Sequence, residues 1–300
     1  MKAREVLERC PICRGRHTPF ETWEDGGEQL VYRRCLQCGL VFQSPRPTQE
    51  FLARFYEEGY RTQVQGTEQV TMKDLRIQTG RARFLTTFCH GVAADISRHL
   101  DIGCSSGQLL RAMQAASNGI SIGVEPGDAY RAACHEQGLQ VYPSLAALEE
   151  AGEERFDLIS MSHVLEHIPD PFAYLADVRR TWLKPGGYLL LEVPNLYGHH
   201  AYELTHLTAF SPGTLRLLLQ GAGFRMMRMR THGAPRSSLL RLYLTMLSQV
   251  EGGARPPESL RRFNALTPLR RKIGLAVYDT LTEYLPSRTW KPLPELEECA

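Results

Sequence analysis

The chain has 300 residues, with 35 Lys plus Arg against 33 Asp plus Glu, 43% apolar residues and 23% charged. A net charge of +2 excludes the clustered basic excess expected of a protein that lives on nucleic acid. No apolar run approaches the roughly 18 residues of a membrane span, and the charged start, Met1 to Glu5, lacks the apolar core of a secretion signal. A soluble, cytoplasmic protein is therefore expected.

Four of the eight cysteines form two pairs near the N-terminus, Cys10-Pro11-Ile12-Cys13 and Cys35-Leu36-Gln37-Cys38. Cys89, Cys104, Cys134 and Cys299 are scattered. Two Cys-x-x-Cys knuckles about twenty residues apart match a Cys₄ zinc ribbon, because each tight knuckle aims two thiolates from one backbone turn at one ion. Gly39 supplies the positive φ that such a knuckle needs. Trp23 to Gly27 predicts a hairpin tip and Leu30 to Tyr32 a strand. Two disulfides are the alternative, and a reducing compartment disfavours them. Four thiolates leave no open position for chemistry, so the ion would be structural.

Ser44 to Pro47 is a stiff connector. A capped helix follows over 48–56, then a polar loop over 61–70 and a second helix over 71–90. From residue 98 short apolar runs alternate with helical stretches. Strands are predicted at 99–102, 120–125, 156–161, 188–193 and 224–229, and helices at 107–116, 129–137, 170–183 and from Ser211-Pro212 to Gly223. Lys184 to Gly187 ends the third of these helices. This pace predicts an α/β fold with a doubly wound parallel sheet. Beyond it, 239–244 and 275–284 read as helical. Residues 231–300 carry ten Lys/Arg and seven Asp/Glu, an excess of three that fits a solvated helix face.

The turn Asp101-Ile102-Gly103-Cys104-Ser105-Ser106-Gly107 sits where a strand gives way to a helix. In an open α/β sheet, ligands bind beyond the carboxyl ends of the strands, and glycines there let the backbone come close. Glu125 ends the next strand about twenty residues on, placed for a ribose. A Walker lysine is absent and the dinucleotide pattern is incomplete, since only Gly103 and Gly107 are present.

On these residues the chain resembles the class I S-adenosylmethionine (SAM)-dependent methyltransferases. Their first motif matches at Asp101, Gly103 and Gly107, with Ser105 at the middle glycine. The acidic second motif matches at Glu125, the fourth-strand segment at Phe156 to Ile168, and the Leu-Lys-Pro-Gly-Gly signature at Leu183 to Gly187. The resemblance covers roughly 98–230. It implies that Asp101, Gly103, Ser105, Gly107, Glu125, Ser162 and His163 line the cofactor. With the cysteine pairs added, the chain is similar to zinc-ribbon sugar methyltransferases. Tyr202 to Ser211 resembles their Glu-His-Leu stretch after the fifth strand, where His206 is kept and the glutamate position is Thr205.

The resemblance divides the chain into a zinc ribbon (1–45), a helical connector (46–95), a SAM-binding methyltransferase domain (96–232) and a C-terminal helical region (233–300). It implies methyl transfer to a small-molecule hydroxyl, of a sugar or a secondary metabolite. Removing the hydroxyl proton calls for a base, and His206 is the first candidate; His167 and Glu166, after the fourth strand, are expected to face the cleft as well. His199 and His200 are expected as mobile loop residues. Alternatives are carbon methylation of a nucleotide-linked sugar, RNA methylation and a non-catalytic scaffold. Residues 1–60 hold nine Lys/Arg and nine Asp/Glu, which leaves no electrostatic footprint for RNA. The expected ligands are SAM, structural zinc and a small-molecule acceptor, with no nucleic acid and no membrane span. Oligomeric state is not legible.

Overall fold

The computed structural model describes residues 4–57, 69–93, 95–200 and 202–295. Most of the loop read at 61–70, and Cys299, lie outside these residues. The N-terminal part holds β1 (Arg4–Glu5), β2 (His17–Asp25), β3 (Glu28–Cys35), β4 (Val41–Gln43) and β5 (Arg46–Pro47), followed by helices α1 (Gln49–Glu57) and α2 (Met72–Cys89). Thr71 caps α2, its hydroxyl accepting from the Asp74 N–H at 3.1 Å. The stiff connector is more than a spacer: Arg46–Pro47 pairs antiparallel with Arg4–Glu5, and the Arg46 guanidinium donates to Glu5 at 2.7 Å.

The larger sheet contains β6 (Arg98–Ile102), β7 (Ile120–Val124), β8 (Gln140–Tyr142), β9 (Phe156–Ser162), β10 (Leu183–Pro194), β12 (Phe224–His232) and β13 (Tyr243–Val250), in the order β12-β13-β10-β9-β6-β7-β8. The two-residue strand β11 (Thr208–Ala209) lies elsewhere. Helices α3 (Gln108–Ser117), α4 (Asp128–Glu136), α5 (Leu145–Glu150), α6 (Pro171–Thr181) and α7 (Pro212–Gly221) connect these strands. Five adjacent strands are parallel, and β13 runs antiparallel to both its neighbours. Phe156, Leu158, Ile159 and Met161 of β9 and Leu189, Leu190, Leu191 and Val193 of β10 are all buried. Such near-continuous apolar runs are what a sheet covered on both faces requires.

Two expectations are corrected here. The 239–244 run does not form a helix; it leads into β13, so the sheet continues to Val250, past the boundary at 232. A short apolar run without polar alternation fits a doubly covered strand as well as a buried helix. The Lys184–Gly187 turn does not end a helix either: α6 stops at Thr181, and the turn is an irregularity within β10. The strand at 140–142 and the helix at 145–150 went unread. A further helix, α8 (Thr267–Tyr284), and a four-residue turn, α9 (Pro286–Thr289), close the described chain. No helix of the described residues is long and apolar enough to cross a membrane.

The ribbon is not a free module. Its sheet order is β11-β4-β3-β2, so Thr208–Ala209, from the segment after β10, completes it.

Below the turn that follows β6, His99 is sealed between two strands. Ser160 donates to Asp101 at 2.6 Å, so it accepts from His99 Nε2–H at 2.8 Å, and Ser121 donates to Nδ1 at 3.2 Å. Burial pushes the His99 pKa down to about 3. The unfolded histidine takes a proton below about pH 6.5 that the folded one refuses until about pH 3. Stability attributable to His99 is thus lost as pH falls through that window, at about 1.4 kcal/mol per pH unit. Denaturant unfolding of the wild type and of His99→Gln at pH 7, 6 and 5 is expected to show this slope in their difference. A pH-independent difference contradicts it.

Candidate active site

The turn after β6 enters α3 through three residues with positive φ: Gly103 (+77°), Ser105 (+51°) and Gly107 (+76°). A Cβ at Gly103 would lie 2.5 Å from Val164 Cγ2, and one at Gly107 would lie 2.4 Å from Leu139 Cδ1, so neither position accepts a side chain. Ser105 occupies a left-handed conformation that a middle glycine would adopt without strain. Its N–H donates to Glu125 Oε2 at 3.0 Å, and the Gly127 N–H donates to Glu125 Oε1 at 3.0 Å. These bonds hold the buried Glu125 carboxylate at the carboxyl edge of β7.

A cavity opens beside this turn, lined by Asp101, Gly103, Ser105, Ser162 and His163 among others. Five of the seven predicted cofactor residues are thereby brought together. Gly107 and Glu125 do not line the cavity itself: Gly107 packs on Leu139 and Cys134, and Glu125 braces the turn. Burial pushes the Asp101 carboxyl up to about 7, with the Ser160 hydroxyl pulling downward and the Glu125 charge adding to the rise. The Ser106 hydroxyl is buried without a hydrogen-bond partner. The Asp101 carboxyl and the backbone cradle of Gly103 to Ser105 suit a polar nucleoside carrying a cationic centre.

The opposite wall comes from α2, which went unread as a site element. Gln78, Arg81, Ala82 and Leu85 line the cavity, and Arg81 Nε lies 2.6 Å from Glu192 Oε1. Glu192 is a buried hub. It accepts from Ser162 and Thr245 at 3.2 Å each, and lies 3.3 Å from His232 Nε2 and 3.5 Å from His163 Nε2. Burial opposes its ionisation, but Arg81 and the histidines hold its pKa well below the ordinary carboxylate range. The available signal was one carboxylate inside the apolar run Leu189 to Val193.

His163, at φ +56°, joins this hub to a second cluster: its Nδ1 is 3.3 Å from Glu166 Oε1. Glu166, His167 and His206 each point a ligand-type atom into a space where all lie within 4.8 Å of one another, a donor set that a divalent cation accepts. The three predicted catalytic residues therefore converge, although they stand behind His163 rather than on the cavity wall. Burial works to raise the Glu166 carboxyl, but the His163 hydrogen bond and the neighbouring imidazoles outweigh it and hold the pKa at about 2. Burial pushes His167 down to about 4. Its Nδ1–H donates to the Thr205 carbonyl at 3.0 Å, which leaves Nε2 as an acceptor. His206 Nε2 is 3.5 Å from Glu203 Oε2.

The ribbon fixes this cluster from outside. Tyr32 Oη donates to the His206 carbonyl at 2.8 Å, Asp25 accepts from the Leu204 N–H at 3.0 Å, and the Gln43 N–H donates to the Leu207 carbonyl at 2.9 Å. Its four buried cysteines, Cys10, Cys13, Cys35 and Cys38, have all sulfurs within 4.8 Å of one another. The Cys10–Cys38 and Cys13–Cys35 sulfur distances are 3.7 and 3.5 Å. A tetrahedron with metal–sulfur bonds of about 2.3 Å has edges of about 3.8 Å, so the spacing fits a Zn²⁺-sized ion. His199 and His200, expected as loop residues, are both packed against aromatic rings. His200 stacks on Trp23 at 5.0 Å and meets Asp279 at 3.0 Å, and His199 lies 6.2 Å from the Tyr243 ring.

A family model described as a methyltransferase domain matches residues 72–228, just over half of the chain, and the chain belongs to that family. The family places it among the class I SAM-dependent methyltransferases. Among curated proteins it is similar to the ubiquinone biosynthesis O-methyltransferase of Aeromonas salmonicida, 35% identical over 104 residues, which is 33% of this chain and 43% of the relative. The same-named protein of Actinobacillus pleuropneumoniae serotype 7 is 33% identical over 106 residues, 32% of this chain and 45% of that protein. The chain thus spans less than half the length of these relatives. Among solved structures, the Burkholderia thailandensis 1,6-didemethyltoxoflavin-N1-methyltransferase superposes with a TM-score of 0.54 at 17% identity, over 78% of this chain and 99% of that one. That likeness bears on the fold alone.

Proposed function

We propose that the enzyme methylates a hydroxyl oxygen of a small-molecule acceptor, with His206 as the general base. The observation that carries this reading is the convergence of Glu166, His167 and His206 behind His163, next to the cavity at the carboxyl end of β9. The names of the curated relatives, which are O-methyltransferases, support oxygen as the acceptor atom. A sugar or secondary-metabolite acceptor is the finer reading, supported by the ribbon and by the sequence around His206.

SAM would supply the activated methyl group, and Asp101, Gly103, Ser105, Ser162 and His163 would hold it on a turn braced by Glu125. The chain's own task is alignment, exclusion of water and removal of one proton. An imidazole nitrogen of neutral His206 would receive the hydroxyl proton. Glu166 stabilises the imidazolium that results. It supplies from position 166 the carboxylate missing at Thr205, so a carboxylate–histidine pair is retained through a different backbone position. A Zn²⁺ in the four cysteines would be structural.

The test is transfer of a labelled methyl group from SAM to a panel of hydroxylated acceptors, including nucleotide-linked sugars, with the product linkage read by NMR. An oxygen-bound methyl is expected. A carbon-bound methyl, or label that enters only RNA, overturns the reading.

A further inference from the structure

The outer face of α8 breaks the polar pattern of the rest of the surface. Of the thirteen large apolar side chains that are exposed among the described residues, seven fall between 263 and 285: Phe263, Leu266, Leu269, Ile273, Val277, Tyr284 and Leu285. Leu266, Leu269, Ile273, Val277 and Tyr284 recur three, four or seven residues apart. At 100° per residue they share one side of the helix, with the exposed Ala276 and Thr280 along its middle. The opposite side of α8 is already used. Arg271 is buried and donates to the Leu196 and His199 carbonyls and to Glu21, and a Cβ at Gly274 would lie 2.0 Å from the Tyr197 carbonyl oxygen. The helix therefore cannot turn its apolar side inward. A contiguous exposed apolar stripe of this kind marks a contact surface, and it lies beyond the methyltransferase-domain match, which ends at 228.

The charges beside the stripe say what covers it. Arg270, Arg271 and Lys272 stand in the N-terminal half of α8, and Asp279 and Glu283 in the C-terminal half. Lys272 and Glu283 are both exposed and border the stripe on the same side, eleven residues apart. In an antiparallel helix pair related by a two-fold axis, residues on the same flank meet, and each end of one helix lies against the opposite end of the other. An axis between Val277 and Tyr278 brings Lys272 of one copy to Glu283 of the other, twice. It also sets the Tyr284 end of each stripe against the Leu269–Ile273 end of its mate, and the small Ala276 and Thr280 let the helices approach at the centre. A helix made to lie on anionic lipid would carry basic residues on both flanks; here one flank carries Lys272, Asp279 and Glu283.

We infer that the stripe on α8 is the interface of an antiparallel homodimer, sealed by paired Lys272–Glu283 contacts. Because Arg271 bonds the Leu196 and His199 carbonyls and Gly274 packs on Tyr197 from the other side of the same helix, dimerisation also braces the segment that leads to His206.

Sedimentation of the full chain tests this. At tens of micromolar the wild type is expected at twice its 33.9 kDa mass. Lys272→Glu and Glu283→Lys are each expected to weaken the dimer about tenfold, since each turns two attractions into repulsions. The double variant should restore the wild-type constant. Ile273→Lys should give a monomer whose thermal shift with S-adenosylhomocysteine is unchanged, which shows that the fold is intact. The inference is overturned by a monomeric wild type, by single reversals that leave the dimer constant alone, or by capture of the chain on phosphatidylglycerol vesicles that Ile273→Lys abolishes.

Discussion

Replacing His206 by alanine is expected to lower kcat by about 10²–10⁴-fold, the usual contribution of one positioned general base. The affinity for S-adenosylhomocysteine should stay within about twofold, because His206 does not line the cofactor cavity. Tyr32→Phe removes the 2.8 Å hydrogen bond to the His206 carbonyl and a longer one, 3.4 Å, to the Glu203 carbonyl, and keeps the ring stacked on Tyr202 at 3.8 Å. A loss of about fivefold in kcat, with KM for SAM unchanged, is expected there if Tyr32 sets the pose of the base, one lost hydrogen bond being worth about 1 kcal/mol. Glu166→Gln should change the pH profile of kcat/KM, since its charge no longer supports the neighbouring imidazoles. Steady-state kinetics with the acceptor found in the panel checks all three. A His206→Ala enzyme of wild-type kcat assigns the proton to another group, and His163, on the cavity wall, becomes the first to test.

The second large effect concerns the ribbon. Structural zinc in Cys₄ sites contributes about 10–16 kcal/mol to folding, as much as the whole stability of an ordinary domain. Chelation, or Cys38→Ser, is therefore expected to unfold the ribbon. β11 then loses its partner β4, and Tyr32, Asp25 and Gln43 release the backbone around His206. The cavity draws its lining from α2, the β6 turn, the start of α3 and the end of β9, and from no ribbon residue. Turnover should fall at least as far as in His206→Ala, while a thermal shift with S-adenosylhomocysteine persists. One zinc ion per chain by elemental analysis, released together with activity, is the expected observation. A metal-free, fully active protein with four reactive thiols contradicts it.

What the sequence made legible follows from where a function depends on local spacing. The two cysteine knuckles, the glycine turn and Glu125 each need a fixed number of residues within one strand–turn–helix unit, and all were readable. Ser211-Pro212 was readable for the same reason: a capping hydroxyl followed by proline at the first helical position marks a helix start. Contacts made across the fold were not. Arg81 meets Glu192 over more than a hundred residues, and no local pattern in 71–90 distinguishes Arg81 from a solvated arginine. The ribbon's sheet borrows two residues from position 208, a pairing too short to leave any alternation. The misread run at 239–244 shows the same limit: a strand covered on both faces loses the period of two that separates strand from helix. His206 itself was legible from its neighbourhood. Its company with Glu166 was not, because the carboxylate arrives from a different strand end.

The measurement that bears most directly on the account is the thermal stabilisation of the folded chain by S-adenosylhomocysteine, with Glu125→Ala as the control. At a hundred times its dissociation constant the ligand should add about 2.7 kcal/mol to the stability of the native state. Glu125→Ala, which loses the carboxylate bonded to the Ser105 and Gly127 N–H groups, should abolish the shift at the same concentration. A clear shift in the wild type that the variant loses is the predicted result. A wild type that is folded yet shows no shift at millimolar ligand would contradict the cofactor site on which every later step depends.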